Sequence, residues 1–244
     1  IAAAVDFCHL HKVKVYVTVN IVIKEDEFSD ALSFASFLAE TGADGIIVQD
    51  LGLLCAIRNL SPDIRLNAST QMTVCSADGV NLLQKLGANR VVLSRELSKE
   101  EIASINAKTT IELEAFVHGA MCISYSGRCL LSNFLVGRDA NQGACTHPCR
   151  WKYSIVEESR PGEYMPVYEN ERGTYIFNSK DLCMIEHMDD VLTSGIDSLK
   201  IEGRMKTALY VATVARTYRK AIDDYLEDPA KYQANMSWYQ EQIA

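Results

Sequence analysis

The chain has 244 residues, of which 48% are hydrophobic, and a formal net charge of −8 at pH 7. The acidic balance argues against nonspecific, charge-driven binding to nucleic acid or to anionic membranes. No run approaches the roughly 18 apolar residues of a membrane span and no signal peptide opens the sequence, so we expect a cytoplasmic protein with reduced thiols.

Short apolar segments alternate with amphipathic ones along most of the chain. Strands are predicted at 13–19, 44–50, 64–70, 90–96, 111–118 and 197–203, and helices at 2–11, 30–43, 51–60, 77–87, 99–107, 181–195 and 207–226. Such alternation is typical of βα units and of a parallel sheet covered by helices. Glycine recurs after the helices that precede the strands at 44–50 and 90–96, where a positive φ is needed.

We therefore predict an α/β fold of the (β/α)8 TIM-barrel type that is incomplete at its N-terminus. A closed barrel needs eight strands and six are predicted here, so we expect two more before Ile1. The predicted divisions are a barrel portion at 1–119, a cysteine-rich insertion with a β hairpin at 120–179, and a last βα portion with C-terminal helices at 180–244. In the insertion, 150–158 and 173–179 are predicted to be antiparallel strands around a turn-rich segment.

The predicted strands end in polar side chains. The carboxyl ends of parallel strands meet at one edge, which is where βα proteins bind their ligands. The residues at this edge are Asn20, Gln49, Asp50, Ser69, Thr70, Gln71, Arg95, Glu96, His118, Glu202 and Arg204, with Lys200 a further candidate. Singly, several have structural explanations: Asp50 and Ser69 as helix caps, Arg95 and Glu96 as an ion pair. Together they indicate a polar ligand site.

Cysteine is concentrated just after the strand that ends at His118. The dense set is Cys122, Cys129, Cys145 and Cys149, with Cys183 further along. In a reducing compartment this indicates a metal or redox site rather than a disulfide framework. The spacing differs from the paired C-x-x-C knuckles of structural zinc and suits an iron–sulfur cluster, with zinc or unligated buried thiols as alternatives. Because the segment leaves from a strand end, we expect it to fold over the same edge.

Two further patterns occur in this segment. Basic residues exceed acidic ones between 122 and 153, beside Tyr125 and Trp151, a combination that could contact RNA phosphate and stack on a base. Ser124, Ser126 or Cys129 could act as a nucleophile with His118 as its base, but neither a G-x-S-x-G elbow nor an H-E-x-x-H pair is present. The support for a hydrolase is weak.

The stretch ELEAFVHGAMCISYSGRCLLS closely resembles the signature of the collagenase-like peptidase family U32. Similar matches are VKVYVTVN, ADGIIVQDLG, NASTQMTV, RVVLSREL, NQGACTHPCRWKY, NSKDLC and DSLKIEGRMK. The nearest branch resembles the one that hydroxylates the wobble uridine of tRNA in an oxygen-independent, prephenate-dependent reaction. The resemblance implies a barrel-like domain, tRNA bound through its anticodon region, and prephenate as a dicarboxylate co-substrate.

The resemblance also implies a 4Fe-4S cluster held by four cysteines. The expected ligands are Cys122, Cys129, Cys145 and Cys183, with Cys149 as an alternative. We assign candidate catalytic roles to Asp50, Gln71, Glu96, His118 and Glu202, and substrate binding to Asn20, Gln49, Arg95, Arg128, Lys200 and Arg204. Of these, Arg95, Arg128, Lys200 and Arg204 are the candidates for clamping prephenate. The alternative functions are a U32-type collagenase-like peptidase and a noncatalytic iron–sulfur accessory protein.

Overall fold

A computed structural model describes residues 1–122, 124–125, 127–151, 154–156, 159–166, 169–170, 173–174, 181–204 and 206–243. For the short strands between 154 and 174 only the backbone is considered. Within these ranges every helix is either too short or insufficiently apolar to cross a membrane.

The chain alternates strands and helices in the predicted order. The strands are β1 (Tyr16–Val19), β2 (Gly45–Val48), β3 (Arg65–Ala68), β4 (Arg90–Val92), β5 (Glu112–Ala120), β6 (Ser154–Val156), β7 (Tyr164–Pro166), β8 (Glu169–Asn170), β9 (Gly173–Thr174), β10 (Asp181–Cys183) and β11 (Ser198–Glu202). The helices are α1 (Ala2–Leu10), α2 (Phe28–Glu40), α3 (Leu51–Leu60), α4 (Ala77–Lys85), α5 (Lys99–Asn106), α6 (Leu131–Val136), α7 (Met188–Thr193), α8 (Ala208–Glu227), α9 (Pro229–Ala234) and α10 (Met236–Ile243).

The main sheet has seven strands, of which six are parallel and β10 is antiparallel. Strands β1 to β5 are neighbours in chain order, and β11 pairs in parallel with β5. All six predicted strands are therefore present, and the α/β class is confirmed. The six strands form a half-barrel rather than a closed one, because in the described part of the chain β1 pairs with β2 alone.

The two faces of this sheet differ in chemistry. Alternate residues, such as Ile46, Leu66 and Val91, are fully buried in the core beneath helices α2 to α5. The opposite, inner face carries charges joined by ion pairs: Arg65–Glu112 at 2.6 Å, Arg90–Glu112 at 2.9 Å, Arg90–Glu114 at 3.0 Å and Lys200–Glu114 at 3.0 Å. Each of these buried or half-buried charges has an opposite partner, and the attraction within the pairs offsets part of the cost of removing the charges from water.

Local signals in the sequence set the ends of the helices. The carboxylate of Asp50 caps α3 by accepting from the Leu53 backbone N at 2.7 Å, as its structural explanation predicted. Ser98 and Glu101 form a capping box at the start of α5. After α2 and α4, Gly42 and Gly87 have φ of +77° and +100°, so the predicted left-handed turns are confirmed.

The predicted helix at 181–195 is wrong in its first part. Asp181–Cys183 is instead strand β10, antiparallel to the end of β5, and the α-helix begins only at Met188. The physical reason is that β5 continues to Ala120 and offers its backbone edge, while Asp181 is held by ion pairs from outside the predicted helix. Neither the pairing with β5 nor the ion pairs of Asp181 can be predicted from the local pattern of apolar residues.

The antiparallel strands of the insertion pair differently from the prediction. Strand β6 pairs with β7, and β8 with β9, so each partner comes from the turn-rich segment between the two predicted strands. Short hairpins close with less loss of chain entropy than a long loop, which favours these local pairings. The rest of the predicted strand, at 175–179, lies outside the described residues.

Candidate active site and thiol cluster

A bulge in β5 removes His118 from the strand-end site. The register with β11 shifts between Lys200, which pairs with Phe116, and Ile201, which pairs with His118. His118 therefore faces α8, where its Nδ1 lies 3.2 Å from the Tyr218 hydroxyl, and it is only 4% exposed. Burial lowers the pKa of His118, so the ring is neutral at pH 7.

Arg95 is the centre of the strand-end site. Its Nη1 donates to the carbonyl oxygen of Ala120 at 3.3 Å and to Sγ of Cys122 at 3.4 Å. Its guanidinium carbon lies 3.8 Å from the centroid of the Phe116 ring, and Nη2 lies 3.6 Å from a Glu202 oxygen. The strand ends and the first cysteine are thereby physically connected, as expected from where the cysteine-rich segment leaves the sheet.

The ion pair suggested for Arg95 and Glu96 does not form. Glu96 instead hydrogen-bonds the hydroxyl of Ser94, while Arg95 pairs with Glu202 from the neighbouring region of β11. Arg95 and Glu96 lie in the turn that follows β4, where Arg95 reaches Glu202 and Glu96 folds back to Ser94, so the two side chains are separated. The sequence interpretation missed Phe116, which stacks on Arg95. Side chains alternate along β5: Ala115 is buried in the core under the helices, so Glu114 and Phe116 share the inner face, and this alternation could have identified Phe116.

Three other thiols lie near enough to Cys149 to influence its ionisation. Cys149 is 9% exposed, and burial first, then Cys122 and Cys145, raise the pKa of its thiol; Arg150 opposes this and Cys129 adds to it. The backbone N of His147 donates to Sγ of Cys145 at 3.4 Å. Burial and hydrogen bonds to sulfur are the features that stabilise and tune iron–sulfur clusters, so this set of residues fits such a group.

The thiols are not packed around a single point. Among the described residues no group of three or more His, Cys, Asp or Glu side chains has the arrangement that would hold one metal ion. A zinc ion would need its sulfurs about 2.3 Å from one centre. A cuboid of four irons and four sulfides accepts thiolates spread around a larger body.

Cys183 has a different neighbourhood. It lies opposite His118 in the β5–β10 register, and the backbone N of the next residue, Met184, donates to the Tyr218 hydroxyl at 3.0 Å. Burial and then Cys183 raise the pKa of Tyr218, which stays protonated. Cys122, Cys129 and Cys145 therefore influence Cys149, the alternative ligand in the sequence interpretation, whereas Cys183 lies beside the His118–Tyr218 pair; the choice of ligands stays a prediction.

Asp181 anchors the cysteine-rich segment to the half-barrel. Its carboxylate accepts from Nη1 of Arg150 at 2.5 Å, Nζ of Lys206 at 3.0 Å and the hydroxyl of Tyr210 at 3.3 Å. Burial opposes ionisation, but the hydrogen bonds from Lys206 and Arg150 prevail and lower the pKa of Asp181. The sequence interpretation missed this anchor because it placed Asp181 in a helix.

A cavity of about 400 Å³ opens at the carboxyl ends of β2 and β3. Its lining includes Gln49, Asp50, Gln71, Met72, Leu83 and Arg128. The cysteine-rich segment closes on this cavity through Gly127, whose φ is +80° and where a Cβ would lie 2.7 Å from the Gln71 carbonyl oxygen. The cavity and the thiols are consequently adjacent parts of one site.

The predicted substrate-binding residues fall into two groups. Lys200 and Arg95 are engaged with Glu114 and Glu202 on the inner face, and the Asn20 amide donates to Ser69 Oγ at 3.1 Å. Arg128 and Arg204 are exposed, and within the described residues neither forms an ion pair. Arg128 lines the cavity, and Arg204 contributes to lowering the pKa of His147, after burial. These two cations are the ones open to an anionic ligand.

Comparison with known proteins gives a consistent result. The model of peptidase family U32 matches residues 1–243. The chain is 39% identical over 241 residues to tRNA hydroxylation protein P1 of Bacillus subtilis, covering 99% of this chain and 57% of that protein. It is 40% identical over 251 residues to tRNA hydroxylation protein P of Escherichia coli, covering 86% of this chain and 55% of that protein. The chain thus spans a little over half the length of these relatives.

A solved structure described as the U32 peptidase Mk0906 has a similar fold. The TM-score is 0.51, with 18% sequence identity, and the match covers 83% of this chain and 75% of that one. At this identity the likeness concerns the fold alone. The match to the family model over nearly the whole length, together with the fold, establishes that this chain belongs to peptidase family U32.

Proposed function

We propose that the chain is part of an iron–sulfur enzyme that hydroxylates the wobble uridine of tRNA. The structural observation that carries the proposal is the association of Cys122, Cys129, Cys145 and Cys149 beside Arg95 at the strand ends. The names of its relatives, tRNA hydroxylation proteins, support the same activity. An RNA base and an oxygen-transfer centre must meet for such a reaction, and the cavity adjoins the thiols.

In this proposal the four associated thiolates hold a 4Fe-4S cluster. Arg95 and the backbone N of His147 would each donate a hydrogen bond to a ligating sulfur, and Asp181 would keep the segment seated through Arg150. When bound, a cluster of this kind supplies one-electron redox chemistry. The protein itself positions the segment and excludes water through the buried Cys149.

Prephenate is the proposed co-substrate. Its two carboxylates require cations that are not already neutralised, and Arg128 and Arg204 meet this condition better than Arg95 and Lys200. Asp50 is engaged in capping α3, Glu96 is bonded to Ser94 and Glu202 is paired with Arg95. Of the proposed catalytic residues, Gln71 has a side-chain oxygen without a hydrogen-bond partner among the described residues.

The proposed RNA-facing surface lies on the cysteine-rich segment. Tyr125 and Trp151 are 49% and 44% exposed, although aromatic side chains are usually more buried. Exposed aromatics beside cations stack on unpaired bases, whereas double-stranded regions are contacted through phosphate. A single-stranded anticodon loop fits this surface chemistry.

A peptidase is the second candidate, because the family bears that name. It would need His118 to activate a serine or cysteine nucleophile. His118 instead hydrogen-bonds Tyr218 on the far side of the β5 bulge, so the geometry supports this activity less well. A noncatalytic accessory role predicts a bound cluster without turnover.

The test is the nucleoside composition of tRNA. The chain would be expressed in a bacterium whose tRNA hydroxylation genes have been deleted, and the tRNA digested and examined by mass spectrometry. The proposal predicts uridine carrying one added oxygen, and none with Cys122→Ser. Unmodified tRNA together with a bound cluster would favour the accessory role, and peptide cleavage by iron-free protein would favour the peptidase.

A further inference from the structure

The cavity at the ends of β2 and β3 contains an unmatched donor and an unmatched acceptor. Nε2 of Gln49 and Oε1 of Gln71 are both inaccessible to solvent, and neither has a hydrogen-bond partner in the structure. A buried polar atom without a partner costs free energy, and native proteins keep few of them. Two of them lining one cavity indicate that a ligand supplies the missing partners.

The rest of the lining indicates the shape and charge of this ligand. Met72 and Leu83 contribute apolar surface, which suits the faces of a flat ring. Asp50 is engaged at the start of α3, and the cation that lines the cavity is the exposed Arg128. In this inference Arg128 contacts a phosphate, which leaves Arg204, outside the cavity lining and without an ion pair in the described part of the chain, as the cation for prephenate. A dicarboxylate would need two cations here, whereas a neutral ring attached to a phosphate needs one.

We infer that this cavity binds a nucleobase through a lactam edge, with Gln49 donating to the ring carbonyl and Gln71 accepting from the adjacent ring N–H. Uracil is the smallest base that presents a carbonyl beside an N–H. Cytosine presents an amino group beside an unprotonated ring nitrogen. With the amides oriented as in this structure, it places a donor against Gln49 Nε2 and an acceptor against Gln71 Oε1, so cytosine binds only after both amides rotate by 180°. The two glutamines are thus specificity-determining residues of the hydroxylation site.

The position of the cavity connects base recognition to the thiols. Gly127 packs on Gln71 and the next residue, Arg128, lines the cavity, so the two residues that precede Cys129 form part of its wall. A cavity of about 400 Å³ is within the range of small-ligand sites, which begins at about 300 Å³. The inference rests on the proposed function for its RNA substrate, and it adds the residues that select the base.

The experiment is a binding titration of the whole chain with uridine 5′-monophosphate and cytidine 5′-monophosphate, followed by NMR. The two probes differ only at the base edge that the glutamines contact. Wild-type protein should bind the uridine nucleotide about tenfold more tightly, the usual effect of one mispaired buried hydrogen bond. Gln49→Leu and Gln71→Leu should each lose this preference, while Gln233→Leu, on exposed α9, should retain it.

A second pair of variants keeps the test decisive if the leucine variants unfold. Gln71→Glu preserves an acceptor oxygen and should retain the preference for the uridine nucleotide, whereas Gln49→Glu loses the donor and should abolish it. Equal affinity for both nucleotides, or a preference unchanged by Gln49→Glu, would overturn the inference. The titration measures binding without turnover, so the two claims can fail separately. Selective binding of the uridine nucleotide without modified tRNA would contradict only the proposed function. Modified tRNA without selective binding would contradict only the role of the cavity.

Discussion

The Nη1 atom of Arg95 lies 3.4 Å from Sγ of Cys122, and this contact joins the inner face of the half-barrel to the cysteine-rich segment. The arginine is held in place by the Phe116 ring and by Glu202, and its side chain is 7% exposed. A buried cation that donates to sulfur favours the more negative, reduced state of a cluster.

We therefore expect Arg95→Met to lower the midpoint potential of the proposed cluster while the iron content is retained. An anaerobic redox titration followed by visible absorption measures this. Arg138→Met, on an exposed part of the same segment, is the matched control and should leave the potential unchanged. A potential that is the same in Arg95→Met and in wild type would show that this contact does not tune the cluster.

Asp181→Asn should loosen the cysteine-rich segment. The substitution removes the ion pairs to Arg150 and Lys206, which are about one-quarter exposed, and we expect it to lower the free energy of unfolding by roughly 1–2 kcal/mol. Urea denaturation measures the change. Asp223→Asn breaks an exposed pair with Arg219 and should cost less than about 0.5 kcal/mol; equal losses in the two variants would be inconsistent with Asp181 as an anchor.

Stability should fall as the pH drops below about 6.5, the ordinary pKa of histidine. Burial lowers the pKa of His118 in the folded protein, so on acidification the unfolded chain binds a proton at this residue first. Proton binding stabilises the unfolded chain relative to the folded one, and the free energy of unfolding falls. His118→Phe removes this contribution and should make the pH dependence between pH 6.5 and pH 5 shallower; the part that remains includes His147, whose pKa burial also lowers. His11→Phe, at an exposed position, is the control and should leave the pH dependence as in wild type. Denaturation curves of wild type and the two variants across that pH range make the comparison.

Tyr239→Phe should destabilise the C-terminal helices. The Tyr239 hydroxyl donates to Oδ2 of buried Asp224 at 2.6 Å, and hydrogen bonds to charged groups contribute about 1.5–3 kcal/mol. We expect a loss of this size in thermal or chemical unfolding. Tyr225→Phe, in the same packed cluster, provides the comparison, and a similar effect of both variants would mean that the Asp224 bond contributes little.

The fold was largely predictable because its βα units are specified locally. Apolar strands such as β2, cap residues such as Asp50 and the glycine after α2 each encode their element within a few residues. Strand β10 was not predictable in the same way, because its pairing with β5 depends on residues more than sixty positions away.

The site was predictable in composition but not in orientation. The strand-end rule brought Arg95, Gln49 and Gln71 to one edge, yet a single bulge in β5 turned His118 toward α8. Likewise, the spacing of cysteines could not choose between Cys149 and Cys183 as the fourth ligand, because the entropy cost of closing a loop grows only slowly with its length, so a short or a long loop can bring a thiol to the other three. The ligand set itself remains a prediction.

The most direct test of the central claim is the iron, sulfide and zinc content of protein purified without oxygen, with its visible spectrum. The account predicts about four irons and four sulfides per chain. The cluster should be lost in Cys122→Ser, Cys129→Ser, Cys145→Ser and Cys149→Ser, and retained in Cys183→Ser. A full cluster in Cys149→Ser with loss in Cys183→Ser would contradict the proposed ligand set, and zinc in place of iron would contradict the cluster itself.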